Sequence, residues 1–273
     1  MLGGTRFIHA CCPSSSANVF IGPSAGTFSA DASTTDSGFG GNTGVGNAAL
    51  GHLTTGYANT AYGNLALALN TTGYYNTASG TAALYSNTTG YFNTAEGVFS
   101  LYSNTSGAEN TSSGNESLTH NTTGFGNTAY GFWGLHSNDT GYYNTAIGHS
   151  AGYTSTSTFA NVSGSSNTFV GAFSGPGTST QLNNATAIGN SAAVSESNAL
   201  VLGSIAGINN AASSVNVGIG TTAPTTTFQV AGGDMSTTTA GKGLIVKSPD
   251  GTKCARIGID NGGALSVASI SCP

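Results

Sequence analysis

Histidine and carboxylate side chains are the groups in this chain that could bind a metal ion or transfer a proton. The central histidines are His52, His120, His136 and His149, and the central carboxylates include Glu96, Glu109, Glu116 and Asp139. A metal site needs several such ligands together, and a hydrolytic site needs a nucleophile beside a base. No G-G-x-G-x-D calcium repeat, Ser/His/Asp spacing or phosphate-binding loop accompanies these residues. The sequence therefore predicts no catalytic residue, no cofactor and no metal site, and an enzymatic function is not expected.

Five Asn-x-Thr/Ser sequons are the second group of chemically suggestive residues, because each could accept an N-linked glycan. They lie at Asn70, Asn87, Asn104, Asn121 and Asn138, each 17 residues after the last. In a stacked structure this spacing places them at one corner about 4.8 Å apart, where glycans are too wide to occupy every level. Turn chemistry is the favoured interpretation, and glycosylation of a few of these residues is the alternative.

The sequons belong to a 17-residue repeat with the consensus N-T-A-x-G-x-x-A-L-x-x-N-T-T-G-x-x, whose first Asn we number position 1. Six full copies occupy residues 42 to 143. The copies, including an incomplete seventh, begin at Asn42, Asn59, Asn76, Asn93, Asn110, Asn127 and Asn144. The period and the glycine content exclude heptads and helical repeats. The four central histidines fall on three different repeat positions, so stacking of the repeats would not align them as ligands.

Each copy contains two short segments that can be extended, N-T-A-x-G and x-A-L-x, separated by glycine and an N-T-T-G turn. We therefore predict an all-β fold, a parallel β-solenoid or β-roll whose 17-residue coils carry two strands each. Equivalent residues of successive coils would form ladders with a spacing of about 4.8 Å. The buried apolar ladder is predicted to consist of Leu50, Leu67, Leu84, Leu101, Leu118 and Leu135.

Composition limits the possible partners. Charged residues make up 5 % of the chain, and all five basic residues lie near its two ends, with none between positions 7 and 241. A protein that binds nucleic acid needs basic side chains to neutralise phosphates, so nucleic acid is not an expected partner. No stretch of about 18 apolar residues is present, so no membrane span is predicted.

The pattern divides the chain into five predicted segments. Residues 1–41 form an N-terminal strand and assembly segment with irregular first coils, 42–152 the regular solenoid, 153–220 irregular coils, 221–241 a connector, and 242–273 a C-terminal β-hairpin module. We expect turns at Pro249-Asp250-Gly251 and Asn261-Gly262. Cys254 and Cys272 bracket this module and are predicted to form a disulfide, as small extracellular modules often do. Adjacent cysteines pair poorly with each other, so Cys11 and Cys12 are expected to bond to another chain.

Two kinds of side chain could form an interaction surface. The first is a threonine ladder at position 2, comprising Thr43, Thr60, Thr77, Thr94, Thr111, Thr128 and Thr145. Ice-binding solenoids use paired threonine ladders, but the neighbouring position 4 varies here, which favours a packing role. The second is the aromatic stripe, defined as Tyr57, Tyr74, Tyr75, Tyr91, Phe92, Phe125, Tyr142 and Tyr143. It could bind glycans or another subunit, or its rings could stack along the solenoid.

The phrases "NTAIG", "NTFVG" and "VGIGTTAPTTTFQV", with the ending "GLIVKSPDGTKCARIGIDNGGALSVASISCP", resemble the β-roll head repeats and short C-terminal modules of a known group. That group comprises trimeric autotransporter adhesins and bacterial surface proteins related to phage tail fibres. The resemblance covers most of the chain from about residue 18. It implies an extracellular, elongated and usually trimeric fibre with a role in adhesion or surface structure.

The function expected from these observations is that of a structural subunit of an extracellular or cell-surface fibre, with adhesion as a further role. Its expected partners are other copies of the chain, as a homotrimer or an end-to-end filament, and surface glycans. The strand "NVFIG" near the N-terminus lacks an obvious cap, so residues 1 to 22 are expected to be ordered by a neighbouring chain. An ice- or glycan-binding β-solenoid module is the alternative.

Overall fold

The computed structural model describes residues 8–11, 18–26, 40–154, 157–231, 244–248, 252–259 and 265–271. The chain forms two compact units, Met1–Val215 and Asn216–Pro273. The strands of the first unit are β1 (Ile8–Cys11), β2 (Asn18–Ile21), β3 (Thr43–Val45), β4 (Thr60–Tyr62), β5 (Thr77–Ser79), β6 (Thr94–Glu96), β7 (Thr111–Ser113), β8 (Thr128–Tyr130), β9 (Thr145–Ile147), β10 (Thr168–Val170), β11 (Gly175–Pro176), β12 (Thr186–Ile188), β13 (Ala193–Val194) and β14 (Leu200–Leu202). A short 3₁₀ helix, Ser157–Phe159, lies between β9 and β10.

The first unit is a parallel β-solenoid. Its 12-stranded sheet has the order β1-β2-β3-β4-β5-β6-β7-β8-β9-β10-β12-β14, and every pair from β2 onward is parallel. The threonines of position 2 lie opposite one another, as in the pairs Thr43 with Thr60 and Thr60 with Thr77. The predicted all-β solenoid with turns of about 17 residues is confirmed.

Each regular coil contains one strand, so the prediction of two strands per coil is wrong. The x-A-L-x segment is a turn in which the core leucines adopt left-handed backbone angles, with φ of 52° at Leu84 and 51° at Leu101. This conformation costs an L-residue roughly 1–2 kcal/mol. With this backbone the leucine side chain is buried in the core, and the leucine N–H still donates to the next coil. An example is the 3.0 Å bond from the Leu84 N–H to the Ser100 carbonyl. Burial of the side chain outweighs the backbone cost.

Coils of other lengths keep the same register because their extra residues lie outside the strand. The coil from Asn144 to Asn167 spans 23 residues and includes the 3₁₀ helix, yet Thr145 still pairs with Thr168. The coil from Asn18 to Asn42 spans 24 residues. In the irregular coils β11 and β13 pair as a second, two-stranded sheet, so a second strand per coil occurs there.

The N-terminal edge of the solenoid is covered by the same chain. Strand β1 pairs with β2 in antiparallel fashion, with Ile8 opposite Ile21 and Cys11 opposite Asn18. The edge of "NVFIG" that was expected to be free is therefore occupied by β1, whereas the ordering of residues 1 to 22 by a neighbouring chain stays a prediction. A hairpin closes that edge, as natural β-proteins do to avoid open pairing. Cys12 and the side chain of Cys11 lie outside the described residues, so their predicted pairing stays a prediction.

The second unit contains β15 (Val217–Ile219), β16 (Phe228–Val230), β17 (Leu244–Lys247), β18 (Cys254–Ile259) and β19 (Leu265–Ile270). Strands β15 and β16 form a parallel pair, and β17-β18-β19 form an antiparallel sheet, which confirms the small C-terminal hairpin module. Cys254 is buried and disulfide-bonded. Its predicted partner Cys272, and the predicted turn residues 249–251 and 261–262, lie outside the described residues.

The predicted leucine ladder lies in the centre of the solenoid. All six leucines are fully buried, together with the position 3 alanines and Phe169. We expect Leu84→Asp to destabilise the fold by more than about 3 kcal/mol, because it removes apolar packing and buries an unpaired charge. The matched control is Thr88→Asp in the same coil, at a repeat position where a later coil naturally carries Asp139.

Thermal unfolding followed by circular dichroism, with limited proteolysis to locate disordered coils, would measure the difference between the two variants. Because each coil contacts mainly its neighbours, cleavage should begin next to residue 84. Equal stability of the two variants would contradict the placement of Leu84 in the core.

Candidate functional site

Buried asparagines at position 1 form the first of two hydrogen-bonded ladders inside the solenoid. The Asn59 side-chain Nδ2 donates to Asn42 Oδ1 at 3.0 Å, and the Asn59 backbone N–H donates to the same oxygen at 3.0 Å. Nδ2 also donates to the carbonyl of Gly73 across the same coil, at 2.9 Å. The same side-chain pattern repeats through the regular block, so each asparagine joins its own coil to the preceding one.

The five sequon asparagines form the second ladder. Asn87 Nδ2 donates to Asn70 Oδ1 at 2.7 Å and to the Gly90 carbonyl at 3.0 Å, and the later members repeat both bonds. All five side chains are fully buried. A glycan is attached through Nδ2, which here is buried and donates hydrogen bonds inside the solenoid. The geometry of the folded coil thus favours the turn interpretation over glycosylation.

The glycine at position 15 is required by the contact between the two ladders. The Gly73 carbonyl accepts bonds from Asn59 and from Asn70. A Cβ on Gly73 would lie 2.3 Å from Asn70 Oδ1 and 2.4 Å from the Gly90 carbonyl oxygen. Steric exclusion therefore explains this second glycine series, whereas the first series, at position 5, also has positive φ, as at Gly63.

The outer face of the long sheet carries two exposed or half-exposed columns of side chains. One column is the threonine ladder, which continues through Thr168 and Thr186. The other column, at position 4, changes character along the stack and consists of Val45, Tyr62, Ser79, Glu96, Ser113, Tyr130, Ile147, Val170, Ile188 and Leu202. From Tyr130 onward every member of this column is apolar or aromatic. The sheet face thus becomes progressively more hydrophobic towards β14.

The aromatic stripe forms two parallel stacks beside the sheet. Tyr57, Tyr74 and Tyr91 stack with ring centroids 5.0 Å apart and planes 2° from parallel, and Tyr75 stacks on Phe92 at 5.1 Å. Stacking along the solenoid, one of the two readings of the sequence, is therefore observed. Ala108 and Glu109 interrupt the stripe, which resumes with the Phe125 and Tyr142 stack and the edge contact of Phe125 with Tyr143. Tyr75, Phe92 and Tyr143 expose half or more of their surface.

A second aromatic cluster, at positions 7 and 10, was not found by sequence reasoning. Trp133 Nε1 donates to Glu116 Oε2 at 3.0 Å, and His136 Nε2 lies 3.5 Å from the same oxygen. The His120 and His136 rings are 4.6 Å apart. The sequence did contain a signal for the Trp133 contact, because Glu116 and Trp133 occupy position 7 of successive coils. A comparison of histidines and carboxylates within one repeat position did not reveal this contact. Glu116, at position 7, meets His136, which lies at position 10 of the next coil.

This cluster contains a neutral histidine and no metal site. Burial, together with nearby His120, holds the pKa of His136 below its ordinary value, although the Glu116 carboxylate acts in the opposite direction. His136 Nδ1 is buried without a hydrogen-bond partner, which a protonated imidazole would tolerate poorly. Within the described ranges no group of three or more His, Cys, Asp or Glu side chains could hold a metal ion.

No protein-family profile, no curated protein and no solved structure matches this chain. Its family is thus not identified, and what is established is a parallel β-solenoid. Among the described residues no helix has the length and apolar character needed to cross a membrane.

The asparagine ladders generate a direct prediction about stability. Asn93→Asp replaces a double donor with a carboxylate that faces Asn76 Oδ1 and the Gly107 carbonyl, both acceptors. We expect a loss of at least about 3 kcal/mol at neutral pH. The control is Asn64→Asp, which makes the same chemical change at an exposed position.

Chemical denaturation of both variants at pH 7 and pH 4 would measure these effects. At the lower pH Asn93→Asp should recover part of its stability, because protonation restores one donor to the buried carboxyl group and removes its charge. A mutant as stable as Asn64→Asp at pH 7 would contradict the role of the ladder.

Proposed function

We propose that this chain is a structural subunit of an extracellular fibre, and that it self-associates through the outer face of the long sheet. The observation that carries the proposal is the exposure of large apolar side chains in a regular column on the sheet. Tyr130, Ile147, Ile188 and Leu202 are each at least 40 % exposed on this face. Contiguous apolar surface of this kind on a folded protein is typical of an association site.

The sheet face alone is smaller than the surface that each partner buries in a typical stable interface. Eleven parallel strands at about 4.8 Å, each three residues wide, give a strip of roughly 50 Å by 10 Å, or on the order of 500 Å². Stable interfaces bury about 800 Å² per partner. The aromatic stripe can supply the remainder, because its members immediately precede the position 1 asparagine and the strand. We therefore assign both surfaces to self-association.

The sequence supports an extracellular fibre as the resulting assembly. The repeat phrases resemble the β-roll heads of trimeric autotransporter adhesins, in which association into elongated trimers is usual. A chain with only 5 % charged residues gives little charge repulsion between parallel copies. A homotrimer is the favoured arrangement, and adhesion through the aromatic rings left exposed is a further role.

An ice- or glycan-binding module is the second candidate, and one observation favours it. The threonine ladder is continuous from Thr43 to Thr186 on one face of the parallel sheet. Tyr62, Glu96 and Tyr130 interrupt the column beside it with large or charged groups. A surface matched to ice would need two regular columns, so self-association is the better-supported function.

The proposal predicts that charges on the sheet face prevent assembly. The double variant Ile147→Lys with Ile188→Lys should sediment as a monomer, whereas the unaltered protein sediments as an oligomer and appears as multi-subunit rods by electron microscopy. Thr123→Lys with Thr140→Lys adds the same charge at exposed turns and should leave assembly unchanged. A monomeric unaltered protein at high concentration, or identical oligomers in both double variants, would overturn the proposal. Thermal hysteresis in an unassembled protein would instead support ice binding.

A further inference from the structure

One coil of the solenoid breaks an aromatic surface and leaves a depression in it. Phe99 and Tyr102 occupy positions 7 and 10 of one coil, and Trp133 and His136 occupy the same positions two coils later. The intervening coil carries Glu116 and Thr119 instead. Replacement of one ring pair by smaller side chains, about 4.8 Å from the coil of Phe99 and Tyr102, opens a space beside those two rings. The resulting depression has a volume of about 300 Å³ and is lined by Phe99, Tyr102, Glu116 and Thr119.

The lining combines two aromatic faces with one carboxylate. The Phe99 and Tyr102 rings meet at 80° with centroids 5.5 Å apart, so they form a corner. Phe99 is 40 % exposed, which leaves ring surface accessible from solvent. Glu116 Oε2 is held by Trp133, so the carboxylate is fixed at the side of the depression. Oε1 accepts no hydrogen bond from the described part of the chain and remains available to a ligand.

The charge of Glu116 is not neutralised by its surroundings. No lysine or arginine occurs between positions 7 and 241. The titratable group paired with Glu116 is His136, and the lowered pKa of His136 keeps that ring neutral at pH 7. A fixed anionic group beside two aromatic faces attracts a cation through the ring quadrupoles and through its own charge.

We propose that this depression binds an alkylated ammonium cation, such as a trimethylammonium group. The methyl groups of such a cation contact ring faces, and its diffuse charge needs no hydrogen bond from the site. The polar content of the lining fits this ligand better than a sugar. The Thr119 hydroxyl donates its hydrogen to the Phe99 carbonyl at 3.0 Å, and Glu116 is the one charged group in the lining, which favours a cation over a neutral sugar. Sugar hydroxyls need several directed hydrogen-bonding partners.

The chain contains a suitable reporter for this site. Trp133 is its one tryptophan, and its indole N–H is bonded to Glu116. Titration with choline should therefore change the Trp133 fluorescence in a saturable way, and calorimetry should give the same dissociation constant. The neutral isostere 3,3-dimethylbutan-1-ol has the same shape without the charge and should bind at least about tenfold more weakly.

Two variants of lining residues and one control variant test whether choline binds at this depression. Glu116→Gln and Phe99→Ala should each weaken choline binding by about tenfold or more, measured by calorimetry with folding checked by circular dichroism. Glu96→Gln removes a carboxylate from the sheet face and should bind choline as the unaltered protein does. The proposal is overturned if choline does not bind, if the neutral isostere binds equally well, if a monosaccharide binds in its place, or if both site variants retain full affinity. None of these outcomes depends on whether the chain assembles into a fibre.

Discussion

The buried carboxamide of asparagine is the constraint on which the solenoid depends. An asparagine side chain has two donor hydrogens and an acceptor oxygen, and leaving such groups unpaired inside a protein is costly. Here each interior asparagine is satisfied by the equivalent residue of an adjacent coil and by a glycine carbonyl, as Asn76 is by Asn59 and Gly90. A single coil could not meet these requirements. The stack is therefore what makes a polar interior stable.

This constraint explains why the strand positions stay aligned from coil to coil and why insertions occur only outside the strand. A change in coil length between position 1 and position 4 would separate the ladders. The longer coil before Asn167 keeps its bond to Asn144 at 3.0 Å because its extra residues, among them the 3₁₀ helix, lie outside the strand. Where the next coil carries Ala185 in place of asparagine, the Asn167 oxygen keeps the bond from that residue's backbone N–H and lacks only the side-chain bond. Side chains at position 4 of the outer face do not share this restriction and differ from coil to coil.

Much of the fold could be predicted from the sequence, because a constant 17-residue period places equivalent residues beside one another in successive coils. The register of the threonines and the burial of Leu84 and its equivalents follow from the period. The left-handed backbone at those leucines could not be predicted, since local propensity disfavours it and only the tertiary packing compensates. The hairpin of β1 on β2 was missed because an N-terminal strand gives no periodic signal. The Glu116 cluster was missed because it joins different repeat positions of neighbouring coils, and a comparison of equivalent positions does not reveal such contacts.

The central claim is that the interior asparagine amides are locked into ladders, and side-chain hydrogen exchange measured by NMR tests it most directly. The Nδ2 hydrogens of Asn59, Asn76, Asn93, Asn110 and Asn127 should exchange only when the coils unfold, and far more slowly than those of the exposed Asn64. Exchange of the interior amides at the rate of Asn64, in a protein that retains its β-structure, would contradict the account.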